Sequence, residues 1–415
     1  MPSHTETPGD SPLTRRAVAR RPTWPGRAPW CAGVVLAVSL PWRPVAAQER
    51  VPERALGQAE AAAFPAPFGS IAGLRELKNG RVLVSDGLGQ ALVVADLTSG
   101  AADTLGAVGE GPDEYKGPDR LLPLPGDSTL LVDLGNGRLI VLGPSLEFGP
   151  TEPIARHEDD GPFFILPSSV DGRGRVYFQK VEVRRAGGAL PDSGTVVRWD
   201  RALGQIEAVG RVKLEDRTRS ESGGANNRSV RIRSRPLTPE DAWDVAPDGS
   251  LVIARAADYH VEWHRPDGRI VRGPPIPYRP VPVRTPDKEE WIEAASRGLQ
   301  VRVSIVSGAM QTSFSRGGGR RTESDPDDFE WPDVKPAFPG NAVRAAPDGR
   351  AWVRRHVPAG EPIVYDLFGP DGRRQGRVRL PPGRRLVGFG EGTLYLMRRD
   401  AVDFEWLERY RAPTF

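Results

Sequence analysis

Residues 79–86 read Asn-Gly-Arg-Val-Leu-Val-Ser-Asp, a tight turn followed by an apolar, β-branched strand, and this unit decides the fold. The unit returns four times, each time as an acidic residue and a glycine shortly before a strand. The other copies begin at Asp171-Gly172, Asp248-Gly249, Asp348-Gly349 and Glu391-Gly392. Such dipeptides favour hairpin turns, because glycine adopts a positive φ at little steric cost. Each copy therefore predicts a β-hairpin.

Hairpin units at a spacing of roughly 40 to 50 residues are typical of a β-propeller. One more unit lacks the Asn/Asp-Gly turn but has clear strands at 129–132 and 138–142. The pattern predicts an all-β, six-bladed β-propeller with a short helical insertion. The blades are expected at 68–106, 118–150, 163–213, 241–283, 341–380 and 384–413. The last unit ends at Tyr410 without an outermost strand, so a strand from residues 48–67 is expected to close the last blade.

The first 47 residues have the features of a secretory signal peptide. Arginines precede a short apolar stretch at 31–40, and Val45-Ala46-Ala47 resembles a cleavage site. The apolar stretch is too short to span a bilayer as a helix. The sequence therefore predicts a signal peptide at 1–47, a propeller domain at 48–415, and export to the periplasm or the extracellular space.

The charge of the chain changes when this segment is removed. Residues 1–47 hold six arginines and two acids, which leaves 51 basic and 52 acidic residues in the rest of the chain. A globally basic nucleic-acid binder is therefore disfavoured. Cys31, the single cysteine, belongs to the signal, so neither disulfides nor thiolate chemistry is expected in the mature protein. We expect no membrane span and a monomer.

Two stretches interrupt the repeat and are expected to form loops on one face of the propeller. Residues 214–240 are polar and rich in arginine. Residues 284–340 contain a predicted helix from Pro286 to Arg297, with Thr285 as its N-cap and Gly298 as its terminator. Loops on a rigid scaffold are where binding sites usually lie.

The junction between the first two blades carries two motifs. Gly109, Gly111, Pro112, Glu114 and Tyr115 form a G-x-G-P-x-E-aromatic turn, and a D-x-x-N-x-R pattern follows at Asp133, Asn136, Arg138 and Leu139. This segment resembles the exported bacterial six-bladed β-propellers related to NHL-repeat proteins. The resemblance implies the propeller fold and leaves the activity open, because one fold hosts many functions.

Asp86, Asp133, Asn136 and Arg138 are the candidate ligand-binding residues. They lie at strand ends and turns, where their side chains could instead hydrogen-bond to loop backbone. The Arg138 guanidinium is expected to bind a carboxylate such as Asp133. For these residues, and for Glu114 and Tyr115, the sequence favours a structural role.

The pattern expected for catalysis is largely absent from the sequence. His260 and His264 lie on one predicted strand, where four residues separate the rings by about 13 Å, so a shared metal is not expected. No G-x-S-x-G nucleophile motif is present.

Two functions remain open. The favoured one is an exported, non-enzymatic scaffold without a cofactor, which binds a protein, peptide or glycan through one face and the channel mouth. The alternative is a hydrolase that resembles six-bladed lactonases, with a divalent metal such as Ca²⁺ in the channel and Asp86, Asp133 and Asn136 among its candidate ligands.

Overall fold

A computed structural model describes residues 51–57, 63–158, 161–182, 190–222, 229–306, 309–316 and 325–415. The predicted signal peptide lies outside these ranges. The chain folds into a six-bladed β-propeller with one α-helix among the described residues. This architecture confirms the predicted fold class.

Each blade is an antiparallel sheet whose strands follow one another in chain order from the inside outward. The strands of the first three blades are Ile71–Glu76, Val82–Asp86, Ala91–Ala95 and Ala102–Leu105; Pro118–Pro123, Thr129–Asp133, Arg138–Leu142 and Phe148–Pro153; and Ser169–Val170, Val176–Glu182, Ser193–Asp200 and Gln205–Lys213. Ala155–Glu158 and Gly161–Phe164 extend the third sheet. The strands of the last three blades are Ala242–Val245, Leu251–Arg255, His260–His264 and Ile270–Arg272; Val343–Ala345, Ala351–Arg354, Val364–Phe368 and Arg374–Arg379; and Arg384–Phe389, Thr393–Arg399 and Glu405–Arg411.

The hydrophobic core is divided among the interfaces between blades. Six apolar clusters of described residues occur, and each joins two consecutive blades around the ring. Side chains of a strand alternate between the two faces of its sheet, so one strand contributes to two clusters. Leu394 and Leu396 contact the fifth blade, whereas Tyr395 and Met397 contact the first. The ring is therefore held together by apolar packing through its whole circumference.

The predicted turns contain glycines in the left-handed region. Gly80, Gly249, Gly349 and Gly392 have φ values between 66° and 87°. The third-blade turn differs from the prediction, because Gly174 has the positive φ of 79° and Gly172 does not. The turn is tied by the Gly174 N–H, which donates to the Asp171 carbonyl at 2.9 Å.

The strand Glu53–Ala55 pairs in parallel with the outer strand of the fifth blade. The end of the predicted region 48–67 meets the last blade, as expected, although through single hydrogen bonds and not as a regular strand. In the segment 64–68, Phe64 N–H donates to the Leu407 carbonyl and Phe68 bridges Glu405. Apolar packing holds the segment 64–68 there, because Phe64 and Phe68 are both buried between the sixth and first blades.

The two insertions contain more regular structure than the sequence predicted. The first holds a hairpin of Arg217–Ser222 and Ser229–Ser234. The second holds the helix α1 (Thr285–Ser296), a hairpin of Leu299–Val306 and Ala309–Arg316, and a short pair of Val281–Pro282 with Val334–Lys335. Two short 3-10 helices, Pro125–Asp127 and Pro326–Asp328, and the pair Ala107–Val108 with Glu114–Tyr115 complete the elements.

Helix α1 begins one residue earlier than predicted. Arg284 is its N-cap and Thr285 is its first residue. The Asp287 carboxylate accepts the Arg284 N–H at 2.9 Å, which fixes the start of the helix there.

The antiparallel order fixes which loops share a face. Connections between blades and the turns between second and third strands lie on one face, which we call the upper face. Both insertions connect consecutive blades, so both lie on the upper face. Across the described ranges, no helix has the length and apolar character needed to cross a membrane.

Candidate functional site

The Asp133 carboxylate, one of the predicted site groups, is completely buried and surrounded by donors. One oxygen accepts the N–H groups of Lys116 and Gly117, both at 3.0 Å. The other accepts Asn136 Nδ2 at 2.8 Å and Arg138 Nε at 3.2 Å. The expected pairing of Arg138 with Asp133 is thus confirmed.

Asn136 and Arg138 hold the glycine-rich turn at 109–115. Arg138 donates to the carbonyls of Gly111 and Glu114 at 3.1 and 2.9 Å. Asn136 Nδ2 donates to the Gly109 carbonyl at 2.9 Å. The Glu114 carboxylate in turn accepts the Gly111 N–H at 2.6 Å. The two motifs of the blade junction therefore form one hydrogen-bonded unit, which we call the clamped turn (residues 109–115 with Asp133, Asn136 and Arg138).

Asp86 occupies the corresponding strand end in the first blade. Its carboxylate accepts the N–H groups of Gly69, Ser70 and Gly89 at 2.7 to 2.8 Å. These donors lie in the loop that enters the first blade and in the following turn. Asp86 therefore fastens loop backbone, as Asp133 does in the second blade.

The predicted metal ligands do not fit a metal ion. Each carboxylate oxygen of Asp86 and Asp133 already accepts N–H groups, and a cation would have to displace these donors. Within the part of the chain that the structure describes, no group of three His, Cys, Asp or Glu side chains could hold a metal ion. The side chains of the candidate residues thus bond to the backbone of neighbouring loops.

A different set of polar side chains lies where the fifth and sixth blades meet. Arg344, on the inner strand of the fifth blade, pairs in register with Trp352, and Arg354 ends the same strand as Trp352. Since alternate residues share a face, Arg344, Trp352 and Arg354 point the same way. Trp352 belongs to the cluster shared with Leu386 of the sixth blade. Arg344 and Arg354 therefore project toward the sixth blade.

Arg385 and Arg399 lie on the face of the sixth blade that is turned toward the first blade, because Arg385 pairs in register with Met397 and Met397 packs against the first blade. Arg385 lies on its inner strand near the upper face, and Arg399 ends the second strand at that face. Both approach the buried Glu405 carboxylate, Arg399 at 2.6 Å and Arg385 at 3.9 Å. We call Arg344, Arg354, Arg385 and Arg399 the arginine cluster.

The arginine cluster lies near the upper face of the propeller, because its members stand at the upper ends of inner and second strands. Arg344 is exposed, and 46% of the Arg385 side chain is accessible.

The surroundings lower the pKa of two of these arginines, Arg385 and Arg354. Burial lowers the pKa of Arg385; Glu405 opposes this, while Arg399, Arg354 and Arg344 lower the pKa further by repulsion. Burial also lowers the pKa of Arg354, together with repulsion from Arg344. The nearby carboxylates therefore compensate only part of the positive charge of the arginine cluster.

Helix α1 lies beside the arginine cluster. The buried ion pair between Asp287 and Lys335, at 2.7 Å, holds the start of α1 to the segment before the fifth blade. Near its end, Glu293 lies 3.6 Å from Arg399. Arg297, just after the helix, reaches Asp403 in the sixth blade at 3.2 Å. The negative charge of Glu290 opposes the lowering of the pKa of Arg354.

Sequence reasoning missed the arginine cluster. Its members are scattered over 56 positions and two blades, in a chain with 57 lysines and arginines. Only the order of the blades brings the strand ends that carry them into the same part of the ring. The sequence did contain one indication of it. Some arginines lie on predicted inner strands, where a charged side chain would line the channel and would not be needed for packing.

Two further polar features bind no ligand in our interpretation. Glu262 accepts contacts from His260 at 3.1 Å and His264 at 3.3 Å, so a carboxylate stands between the two histidines. Burial alone would raise the pKa of Glu262, but hydrogen bonds from His260, Arg255 and His264 lower it to about 2.

On the opposite face, Arg265 lines an open groove of about 590 Å³ between turns of the fourth and fifth blades and donates to the Pro370 carbonyl.

Comparisons with known proteins give no family for this chain. No family model matches the sequence, and no curated protein matches it. Solved structures that are similar include regucalcin, a calcium-binding protein from Agrobacterium tumefaciens, at 10% identity over 87% of this chain and 97% of that chain, with a TM-score of 0.40.

Two enzymes are similar to the same degree. A gluconolactonase from Xanthomonas campestris shares 10% identity over 85% of this chain and 90% of that chain, with a TM-score of 0.42. Virginiamycin B lyase from Staphylococcus aureus shares 10% identity over 86% and 88%, with a TM-score of 0.35. At these identities and TM-scores the likenesses give no information about the activity of this chain.

Proposed function

We propose that the protein is an exported, non-enzymatic binding scaffold that takes its ligand at the upper mouth of the propeller channel. The observation that carries this proposal is the arginine cluster. Arg344 is exposed near the upper face, and among the described residues its side chain has no ion pair or hydrogen bond. Unpaired charged groups on a rigid scaffold favour the binding of a charged partner.

The state of the predicted metal ligands supports a scaffold over a metal hydrolase. Asp86 and Asp133 use their oxygens to hold loop backbone, and Asn136 holds the clamped turn. A catalytic metal needs several oxygen or nitrogen ligands that converge and leave one position open. We therefore assign these residues to folding.

Export and the family relationship belong to the same proposal. The arginines, the apolar stretch and Val45-Ala46-Ala47 support a cleaved signal peptide. The clamped turn supports kinship with exported six-bladed propellers of the NHL-like type. We propose a monomer that lies outside the cytoplasm, does not bind nucleic acid and does not span a membrane.

The test combines metal analysis with an activity screen of the purified exported protein. We expect less than one metal ion per chain after extensive dialysis and no turnover of a panel of lactones and esters. N-terminal sequencing of the same material should begin at or near Gln48. A stoichiometric metal together with lactone turnover, both lost in a stably folded Asp133→Ala variant, would replace the scaffold with the metal hydrolase.

A further inference from the structure

We propose that two hairpins form a gate over the upper mouth of the propeller channel, and that contact between Phe164 and Phe314 keeps this gate closed. The first gate hairpin consists of Ala155–Glu158 and Gly161–Phe164, and the second consists of Leu299–Val306 and Ala309–Arg316. The inference rests on the proposed function and concerns the access of a ligand to that site.

The first gate hairpin extends the third blade on its channel side. Gly161–Phe164 and the inner strand Ser169–Val170 pair with the same edge of Val176–Glu182, because the other edge pairs with Ser193–Asp200. Ala155–Glu158 adds one more strand beyond Gly161–Phe164. Since neighbouring strands lie about 4.8 Å apart, this hairpin reaches past the inner strand toward the channel axis.

The second gate hairpin begins over the sixth blade. It follows α1, whose end is held to that blade by two ion pairs. Arg297 lies 3.2 Å from Asp403, and Glu293 lies 3.6 Å from Arg399. Leu299, the first residue of the hairpin, comes two positions after Arg297. The start of the hairpin is therefore fixed at the sixth blade.

The same hairpin contacts the third blade. The ring of Phe314 packs edge-on against that of Phe164, with centroids 5.3 Å apart and planes at 84°. Phe314 is 9% exposed and belongs to the apolar cluster that joins the second and third blades. Its register partner is Val301. Only the four residues from Arg297 to Val301 thus separate the contact with the sixth blade from the strand position that reaches the third.

This connection passes over the channel mouth. In a ring of six blades, the third and sixth blades lie opposite each other. A route along the ring would cross two other blades, and it would need about 30 Å because neighbouring sheets pack about 10 Å apart. Four residues of extended chain span at most about 14 Å. The second gate hairpin therefore takes the short route across the channel.

The base of this insertion is fastened independently of the contact between the two phenylalanines. Trp291 of α1 packs against the rings of Phe329 and Trp331, with centroids 5.4 and 5.6 Å apart. The buried ion pair at the start of α1 holds the helix to the segment before the fifth blade. Separation of the rings of Phe164 and Phe314 would therefore leave α1 in place. A fixed base with an apolar contact on the far side is the arrangement of a lid, which controls entry to a site.

The experiment measures access to the mouth with a cysteine reporter. Cys31, the single cysteine, lies in the predicted signal peptide, so an introduced thiol is unique in the mature protein. Ala72→Cys places the reporter at a partly exposed position near the upper end of the inner strand of the first blade. Ala101→Cys, at an exposed turn of the opposite face, is the reporter outside the gate. A maleimide with a bulky polyethylene glycol chain labels both, and the rate is followed by the shift in mass.

Release of the gate is tested with one variant and one control. Phe314→Ala should raise the labelling rate of Ala72→Cys several-fold, because it removes the ring that holds the second gate hairpin against the third blade. Phe329→Ala, in the same insertion but packed on Trp291, should leave this rate unchanged. Thermal unfolding and an unchanged labelling rate of Ala101→Cys show that each variant is folded.

A deletion of residues 299–316 removes the second gate hairpin altogether. Gly298 is joined to Gly317, and the ring is expected to tolerate this because Leu299 pairs with Arg316 at the base of the hairpin. The deletion should label Ala72→Cys at least as fast as Phe314→Ala does. It keeps the test decisive if Phe314→Ala alone does not fold.

The closed state is tested by cross-linking. Phe164→Cys combined with Phe314→Cys should be joined within one chain by a short reagent that alkylates two neighbouring thiols. Phe164→Cys combined with Phe329→Cys is the control and should not be joined.

The proposal is overturned if the deletion leaves the labelling rate of Ala72→Cys unchanged, or if Phe164→Cys and Phe314→Cys are not cross-linked. A faster rate in the deletion but not in a folded Phe314→Ala variant would overturn the assignment of the closing contact to Phe314. These failures would leave the metal analysis and the lactone screen unaffected, so they are distinguishable from a failure of the proposed function.

Discussion

The Arg138 Nε lies 3.2 Å from the Asp133 carboxylate, and the same guanidinium donates to two carbonyls of the clamped turn. A buried carboxylate and a half-buried guanidinium thereby connect a strand of the second blade to the loop that enters it. We expect Asp133→Ala to lower the free energy of unfolding by about 3 kcal/mol, because it leaves buried N–H donors and Arg138 without their acceptor.

Asn136→Ala should lower the free energy of unfolding by about 1 to 3 kcal/mol, because it too removes a hydrogen-bond partner within the clamped turn. Urea unfolding measures both changes. Asp113→Ala, an exposed residue of the same turn, is the control and should leave stability nearly unchanged. A variant of Asp133 with unaltered stability would contradict the structural role.

Asp366 is a carboxylate with several cationic partners at the interface of the fourth and fifth blades. It is fully buried, accepts Tyr259 Oη at 2.7 Å, and lies 2.9 and 3.0 Å from Arg355 and Arg377. Burial would raise the pKa of Asp366, but these arginines lower it below its usual value. Asp366→Asn removes the charge and should cost about 3 to 5 kcal/mol in a urea titration. Asp103→Asn, on a largely exposed side chain, should cost little by comparison.

The closure of the ring should depend on Phe64 and Phe68 more than on the N-terminal strand. Phe64→Ala removes a ring that is 2% exposed and should cost about 3 to 5 kcal/mol. Deleting residues 48–57 removes the three exposed residues of Glu53–Ala55 and the partly exposed Glu53–Arg379 pair, and should cost about 1 kcal/mol or less. A deletion more damaging than Phe64→Ala in thermal unfolding would show that the parallel strand closes the ring.

Glu240 should give the protein a pH-dependent stability. Burial, followed by repulsion from Glu215, raises the pKa of Glu240 to about 7, while the Gly340 N–H, Arg217 and Lys213 oppose the rise. The folded protein holds this proton more tightly than the unfolded chain does. Its contribution to stability is therefore complete below pH 4.5 and is lost as the pH rises through 7.

Glu240→Gln removes this dependence. Relative to the unchanged protein, the variant should gain stability on the order of 1 to 3 kcal/mol between about pH 5 and about pH 8. Unfolding by urea at the two pH values measures the change. Glu361→Gln, at an exposed position, is the control. The same difference at both pH values would refute the account of Glu240.

The fold could be predicted from the sequence because turn residues and strand residues alternate in a repeated order. Gly80, Gly249, Gly349 and Gly392 have the backbone conformation that made them recognisable. The third turn was placed on Gly172 and not on Gly174, since two glycines lie in one tetrapeptide and local pattern does not separate them. The strand Glu53–Ala55 is short and exposed, and has no apolar alternation to reveal its partner.

The site was less predictable than the fold for a physical reason. The clamped turn is local in sequence, so its residues could be named, although their contacts turned out to serve the backbone. The arginine cluster depends on how two blades are placed side by side. Arg344 and Arg385 are 41 positions apart and have no local feature that distinguishes them from other arginines.

The central claim is that the protein is a binding scaffold in which Asp133 and Asn136 hold loop backbone and not a catalytic metal. The most direct measurement is a crystal structure of the mature protein grown with Ca²⁺. The account predicts that no cation binds to Asp133 and that its hydrogen bonds stay unchanged. A cation bound to Asp133 and Asn136 would contradict it.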